Sequence, residues 1–190
     1  MSYRFATRCI YGNKERLPGE PTGAISFPIY QTATYAHPEV GVSTGFDYSR
    51  LQNPTRSQLE KVVATLEHGI DALAFSSGMA AITALMEIFA PGDHLITSAD
   101  LYGGSIRLFD NINKKNAVEF SHIDCSKEDV ESYVKENTKA IFIETPTNPM
   151  MGVVDIRKMA EIAKRHGLLL IVDNTFLSPY FQNPLELGAD

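Results

Sequence analysis

From residue 72 onward the sequence alternates short β-rich runs with longer segments of helical period, and this alternation restricts the fold more than any other feature. The runs Ala72–Phe75, His94–Ser98, Ala117–Ser121, Lys139–Glu144 and Leu168–Val172 predict strands. Between them, Met79–Phe89, Ser105–Asn113, Lys127–Glu136 and Asp155–His166 predict helices. Ser126 followed by Asp129 resembles a capping box, and Gly167 after Arg165-His166 is a helix stop. Such alternation implies βαβ units, hence an α/β fold with a mainly parallel sheet and helices on both faces. Ligands in that architecture bind at the carboxyl ends of the strands.

Residues 1–53 have another texture. Glycine, proline, threonine and tyrosine are frequent and neither period persists, so this segment reads as an irregular arm. Regularity begins after Asn53, where Pro54 suits a first helical turn and Leu59, Val62, Val63 and Leu66 form one stripe before Gly69 stops the helix. Two segments are therefore expected, an arm over 1–53 and a larger domain over 54–190. The final stretch Pro184–Asp190 reads as a short helix, a glycine stop and the approach to a further strand.

Composition narrows the function classes. The 190 residues are 44% apolar, enough for a real core, and no apolar run reaches the length of about 20 residues that spans a bilayer. Without a signal-like N-terminus, a cytoplasmic location is expected. The net charge of −6 is dispersed, which argues against nucleic acid or a membrane as partner and leaves a small molecule. Cys9 and Cys125 show no paired spacing, and the five histidines show no metal-ligand spacing, so neither a disulfide framework nor a metal is expected.

Four strand ends carry residues with chemistry. At Phe75-Ser76-Ser77-Gly78-Met79 a strand is expected to meet a helix, which makes either a phosphate-sized anion site or merely a tight turn. Leu168-Leu-Leu-Ile-Val-Asp173 leads five apolar residues into a carboxylate; Asp173 either meets a cationic partner such as a protonated ring nitrogen or caps its own turn. In Glu144-Thr-Pro-Thr-Asn148-Pro, two prolines stiffen a loop in which Asn148 either addresses a ligand or bonds the loop. Tyr102, before Gly103-Gly104, offers a flat face for stacking or for packing. In the arm, Tyr48 and Arg50 share a face if extended, a hydroxyl and a forked cation suited to phosphate. No Gly-x-Gly-x-x-Gly and no P-loop is present, which removes support for a dinucleotide or nucleoside triphosphate.

Taken in order, Tyr48-Ser-Arg50 with Asn53-Pro-Thr55, Ser76-Ser-Gly78-Met79, Leu101-Tyr102-Gly-Gly, Glu144-Thr-Pro-Thr-Asn148-Pro and Val172-Asp173-Asn-Thr175-Phe resemble the Cys/Met-metabolism family, the pyridoxal-phosphate (PLP) enzymes of trans-sulfuration. The resemblance implies the aspartate-aminotransferase-like fold (fold type I). It implies that Ser77, Gly78 and Met79 bind the phosphate of pyridoxal 5'-phosphate, and that Tyr48 and Arg50 reach it from an adjacent subunit of a homotetramer. Tyr102 would stack on the ring and act in proton transfer, Asp173 would pair with the ring nitrogen, and Thr175 and Asn148 would hold the ring's side and phenolic oxygen. The family's Schiff-base lysine stands in a Ser-x-Thr-Lys segment beyond Asp190, and Lys114, Lys139 and Lys164 are not in that context, so the sequence reads as the N-terminal part of a longer enzyme.

The activity that the resemblance implies is γ-replacement or β/γ-elimination on a sulfur amino acid. Ser43-Thr-Gly-Phe-Asp-Tyr48-Ser-Arg and Leu73-Ala-Phe-Ser-Ser-Gly-Met-Ala-Ala are most similar to bacterial cystathionine γ-synthases. Cystathionine β-lyase, cystathionine γ-lyase and O-acetylhomoserine sulfhydrylase share nearly all of it, whereas Gly104 departs from the cysteine typical of methionine γ-lyases. The alternatives are an inactive cofactor-binding or structural chain and a small-ligand domain without PLP.

Overall fold

A computed structural model describes residues 3–12, 24 and 26–190, and the chain divides into two compact units, residues 1–74 and 75–190.

In the first unit the arm holds a helix that the irregular sequence did not announce, α1 (Phe5–Tyr11), which ends at Gly12 with φ of 59°. A Cβ on Gly12 would press on Val62 Cγ2 at 3.1 Å, so the glycine serves both the left-handed backbone and the close approach to α2 (Pro54–Glu67). Asn53 sets the start of α2: its side-chain oxygen accepts from Thr55 N–H, and its amide nitrogen lies within 3.2 Å of Tyr30 O, Tyr35 Oη and Ser49 Oγ. At the other end His68, not Gly69, takes the left-handed conformation, while Gly69 N–H reaches back to Ala64 O. Of the expected stripe, Leu66 is buried whereas Leu59 and Val63 are exposed.

The expected strand over Ala72–Phe75 does not form among the described residues. Its exposure alternates as a strand's would, but it has no neighbour to ladder with, Ala74 N–H is taken by Glu60 Oε1, and the run straddles the boundary between units.

The second unit is built on a four-stranded parallel sheet: β1 (His94–Ser98), β2 (Glu119–Ile123), β3 (Thr138–Glu144) and β4 (Leu169–Asp173), in the order β2-β1-β3-β4. β1 and β3 are central and nearly wholly buried, as strands covered on both faces must be. Leu95, Ala140 and Phe142 face the core beneath α4 (Gly103–Asn111), while Ile96, Ile141, Ile143 and Leu170 face α5 (Ile156–His166). The other helices are α3 (Gly78–Met86) and the single turn α6 (Ser178–Phe181).

Two expectations shift here. β2 begins two residues late because residues 113–116 wind into a 3₁₀ turn and Ala117 takes the left-handed conformation. The helix expected over Lys127–Glu136 is only a 3₁₀ turn, Val130–Tyr133. Local side chains compete for its backbone: Asp124 Oδ1 takes Ser126 N–H and Asp129 Oδ1 takes Glu131 N–H, so Ser126 caps nothing and Asp129 is the cap. By contrast α5 follows its signals, with Asp155 accepting from Lys158 N–H at the start and Gly167 left-handed at the end.

Candidate functional site

The strand order locates the crevice. The chain leaves β1 toward β2 on one side, then crosses to β3 on the other, so the switch point lies at the carboxyl ends of β1 and β3. The loops that leave those two ends carry Tyr102 and Asn148, and β4 next door ends in Asp173.

Contacts chain these groups together. Glu144 and Asp173 are register partners across β3 and β4. Glu144 Oε2 accepts from Tyr102 N–H at 2.7 Å, and Oε1 accepts from Asn148 N–H at 3.1 Å. Gly104 lies between Tyr102 and Met79, since a Cβ placed on it would fall 2.5 Å from Tyr102 Cε1 and 2.8 Å from Met79 Sδ. The first turn of α3 thus adjoins Tyr102, a residue 47% exposed.

The two readings of Asp173 prove compatible. Oδ1 accepts from Thr175 N–H at 3.1 Å and from Thr175 Oγ1 at 2.5 Å, which is the self-capped turn. Oδ2 has no hydrogen-bond partner among the described residues, so half of the half-buried carboxylate is still available to a cation. At the anion site Ser77 caps α3 by accepting from Ala80 N–H, and its carbonyl takes Ala81 N–H. That leaves the N–H groups of Gly78 and Met79 unspent among the described residues, beside a Ser77 hydroxyl proton that the cap does not use. Nothing lies within 4 Å of a Cβ on Gly78, so the approach is open. Asn148 is exposed and its side-chain amide makes no hydrogen bond among the described residues, which is not the loop-bonding alternative.

Tyr48 and Arg50 belong to the first unit. The chain turns directly after Tyr48, which bridges Thr34: Leu51 and Gln52 N–H both bond Tyr48 O, and the Arg50 guanidinium lies 5.1 Å from the Tyr48 ring centroid. The pair presents a cation and a phenol together, as expected, through stacking instead of strand geometry.

Glu144 opens the motif Glu144-Thr-Pro-Thr-Asn148-Pro, and the motif alone gives it no role. It is 4% exposed, and burial pushes its carboxyl above the usual range, opposed by the Tyr102 N–H bond and reinforced by the Asp173 and Asp100 carboxylates. The signal was an apolar run, Ile141-Phe142-Ile143, leading into a carboxylate, the same one that marks Asp173. Asp100 was also missed: its Oδ2 accepts from Thr147 Oγ1 at 2.5 Å, a second tie between the loops after β1 and β3. A concavity of about 380 Å³ along α5, lined by Arg157, Lys164 and Leu187 among others, shares none of these residues.

A parallel sheet with helices on both faces and its polar groups at the carboxyl edge is the large-domain architecture of the fold type I PLP-dependent enzymes. Residues 6–190 match the Cys/Met metabolism PLP-dependent enzyme family, and the chain belongs to it. It is 56% identical over 172 residues to a cystathionine gamma-synthase/O-acetylhomoserine (thiol)-lyase of Bacillus subtilis (strain 168), covering 90% of this chain and 46% of that protein. A cystathionine gamma-lyase of the same organism is 54% identical, with 90% and 45% covered. Among solved structures, cystathionine gamma-lyase from Lactobacillus plantarum complexed with L-serine is 43% identical with a TM-score of 0.92, covering 99% of this chain and 49% of that one. The chain therefore spans about half the length of the curated relatives it matches.

The donor set fits the family's cofactor. A dianionic phosphate would find two N–H groups and a hydroxyl unspent among the described residues at the positive end of a helix, a protonated ring nitrogen a half-spent carboxylate, and a flat ring an exposed aromatic side chain.

Proposed function

We propose that this chain supplies the cofactor-binding edge of a PLP-dependent trans-sulfuration enzyme, and that the whole protein forms cystathionine from an O-acylhomoserine and cysteine. The observation that carries the cofactor reading is the unspent Asp173 Oδ2 at the sheet edge that also holds Tyr102. The B. subtilis relative named for γ-synthesis supports the reaction.

When bound, PLP supplies an electron sink for the negative charge that develops on the amino-acid substrate. Asp173 Oδ2 would hold the proton on the ring nitrogen, with Thr175 fixing the carboxylate through Oδ1. Ser77, Gly78 and Met79 would grip the phosphate by hydroxyl and backbone donors. The Tyr102 ring would cover one face of the ring and exclude water there, its phenol placed to move a proton at the substrate. Asn148 would offer its unspent side-chain amide to the phenolic oxygen. Tyr48 and Arg50 would complete the phosphate site of an adjacent subunit in a homotetramer built from dimers, in a cytoplasmic enzyme. The described residues contain no helix long and apolar enough to cross a membrane. In γ-replacement the Cγ–O bond breaks with the acyloxy group keeping the bonding electrons, the cysteine sulfur bonds to Cγ in its place, and the thiol gives up its proton, so that cystathionine and a carboxylic acid result.

A second reading, cleavage of cystathionine, is favoured by the γ-lyase relatives at 54% and 43% identity. The test is to incubate the intact protein with O-acylhomoserine plus cysteine and, separately, with cystathionine. Cystathionine accumulating in the first mixture is the expected result. No product there, with pyruvate or 2-oxobutyrate released in the second, would show that the protein is a lyase.

A further inference from the structure

Glu144 lies between the loops of the site, and no part of the cofactor is assigned to it above. It ends the central strand β3, is 4% exposed, and spends one carboxylate oxygen on each of two loops. Oε2 takes Tyr102 N–H at 2.7 Å and Oε1 takes Asn148 N–H at 3.1 Å. Both recipients have exposed side chains, and although the first turn of α4 bonds Tyr102 O, the Glu144 carboxylate is the group that ties each of the two N–H groups.

We infer that Glu144 is a positioning residue: a buried carboxylate clamp that fixes the backbones of Tyr102 and Asn148 so that the aromatic face and the side-chain amide address one ring at a set spacing. The inference rests on the PLP reading and names which side chain makes it geometrically possible. A carboxylate is the group required, because it alone offers an acceptor at each oxygen. Glutamine has the same shape but turns one of the two positions into a donor, which then faces an N–H. Space filling alone would not distinguish the two.

The variant Glu144→Gln and the wild type are compared by hydrogen–deuterium exchange of the intact apo-protein, using overlapping fragments that isolate the Tyr102 and Asn148 amides. PLP affinity and the visible circular dichroism of bound PLP are measured on the same samples. Exchange at one or both amides is expected to rise roughly tenfold or more, the equivalent of losing one charge-assisted hydrogen bond. PLP binding is expected to weaken and the dichroic band to shrink as the ring loses its fixed environment. Unchanged amide exchange and an unchanged band in a variant that folds and binds PLP overturn the clamp. If the variant does not fold, the wild type decides: Tyr102 and Asn148 amides that exchange as fast as those of an unstructured chain overturn it, and slow exchange supports it. A wild type that takes up no PLP overturns the positioning role together with the reading beneath it, while the amide data report the hydrogen bonds separately.

Discussion

Asp173 ends its strand with one carboxylate oxygen bonded twice to Thr175 and the other without a hydrogen bond among the described residues, which would let a single residue serve both a turn and a ligand. That residue was legible in the sequence because an apolar run rarely delivers a carboxylate to a strand end without a partner. Glu144 follows a similar run, yet its partners are backbone N–H groups from two distant loops, and no residue letter encodes those. As a histidine without metal-ligand spacing His94 is expected at the surface or in a turn, and it lies instead inside the central strand β1. It is fully buried and both ring nitrogens are hydrogen-bonded, Nδ1 to Thr138 Oγ1 at 2.8 Å and Nε2 to Ser121 Oγ at 2.9 Å. Burial, aided by Lys135, holds its pKa below the usual 6.5. The unfolded chain therefore binds the proton first as pH falls. The stability contributed by neutral His94 is complete above about pH 6.5 and is lost progressively below it. Urea midpoints between about pH 8 and pH 5 are expected to decline more steeply for the wild type than for His94→Gln, which is itself destabilised by about 1–3 kcal/mol through its unpaired neighbours. Equal slopes would remove His94 from the account.

At the scale of elements, caps separate structure from function. Ser77 and Asp155 each accept a backbone N–H in the first turn of their helix, and loss of either cap costs about 1 kcal/mol. Only Ser77 stands where the phosphate is assigned. Ser77→Ala and Asp155→Ala are expected to lower the urea midpoint similarly, whereas only Ser77→Ala weakens PLP binding; equal PLP affinities in the two variants contradict the phosphate assignment. Elements that announced themselves with caps were read well from sequence: α5 has its Asp155 and Gly167, and β1 has its exact bounds. Lys127–Glu136 has the helical period, but Asp124 just before it takes Ser126 N–H and Asp129 within it takes Glu131 N–H, local bonds that compete with one continuous helix. Ala72–Phe75 has the strand pattern without a strand beside it. Periodicity reports what a segment tolerates; neighbours decide what it becomes.

For the whole molecule, the parallel sheet followed from alternation alone, because strand and helix signals from residue 94 onward recur in order. The strand order, and with it the switch point between β1 and β3, was not legible: it depends on which edges pair, a property of the folded sheet. The family places that edge in a PLP-dependent enzyme. The central claim is that the carboxyl edge of this sheet holds PLP with Asp173 on the ring nitrogen. Its most direct measurement is equilibrium binding of PLP to the intact apo-protein and to Asp173→Asn, with far-UV circular dichroism confirming that both fold. The account predicts saturable binding to the wild type, weakened roughly ten- to hundredfold in the variant by loss of one charge-assisted hydrogen bond. Equal affinity in the two proteins, or no binding by the wild type, would contradict it.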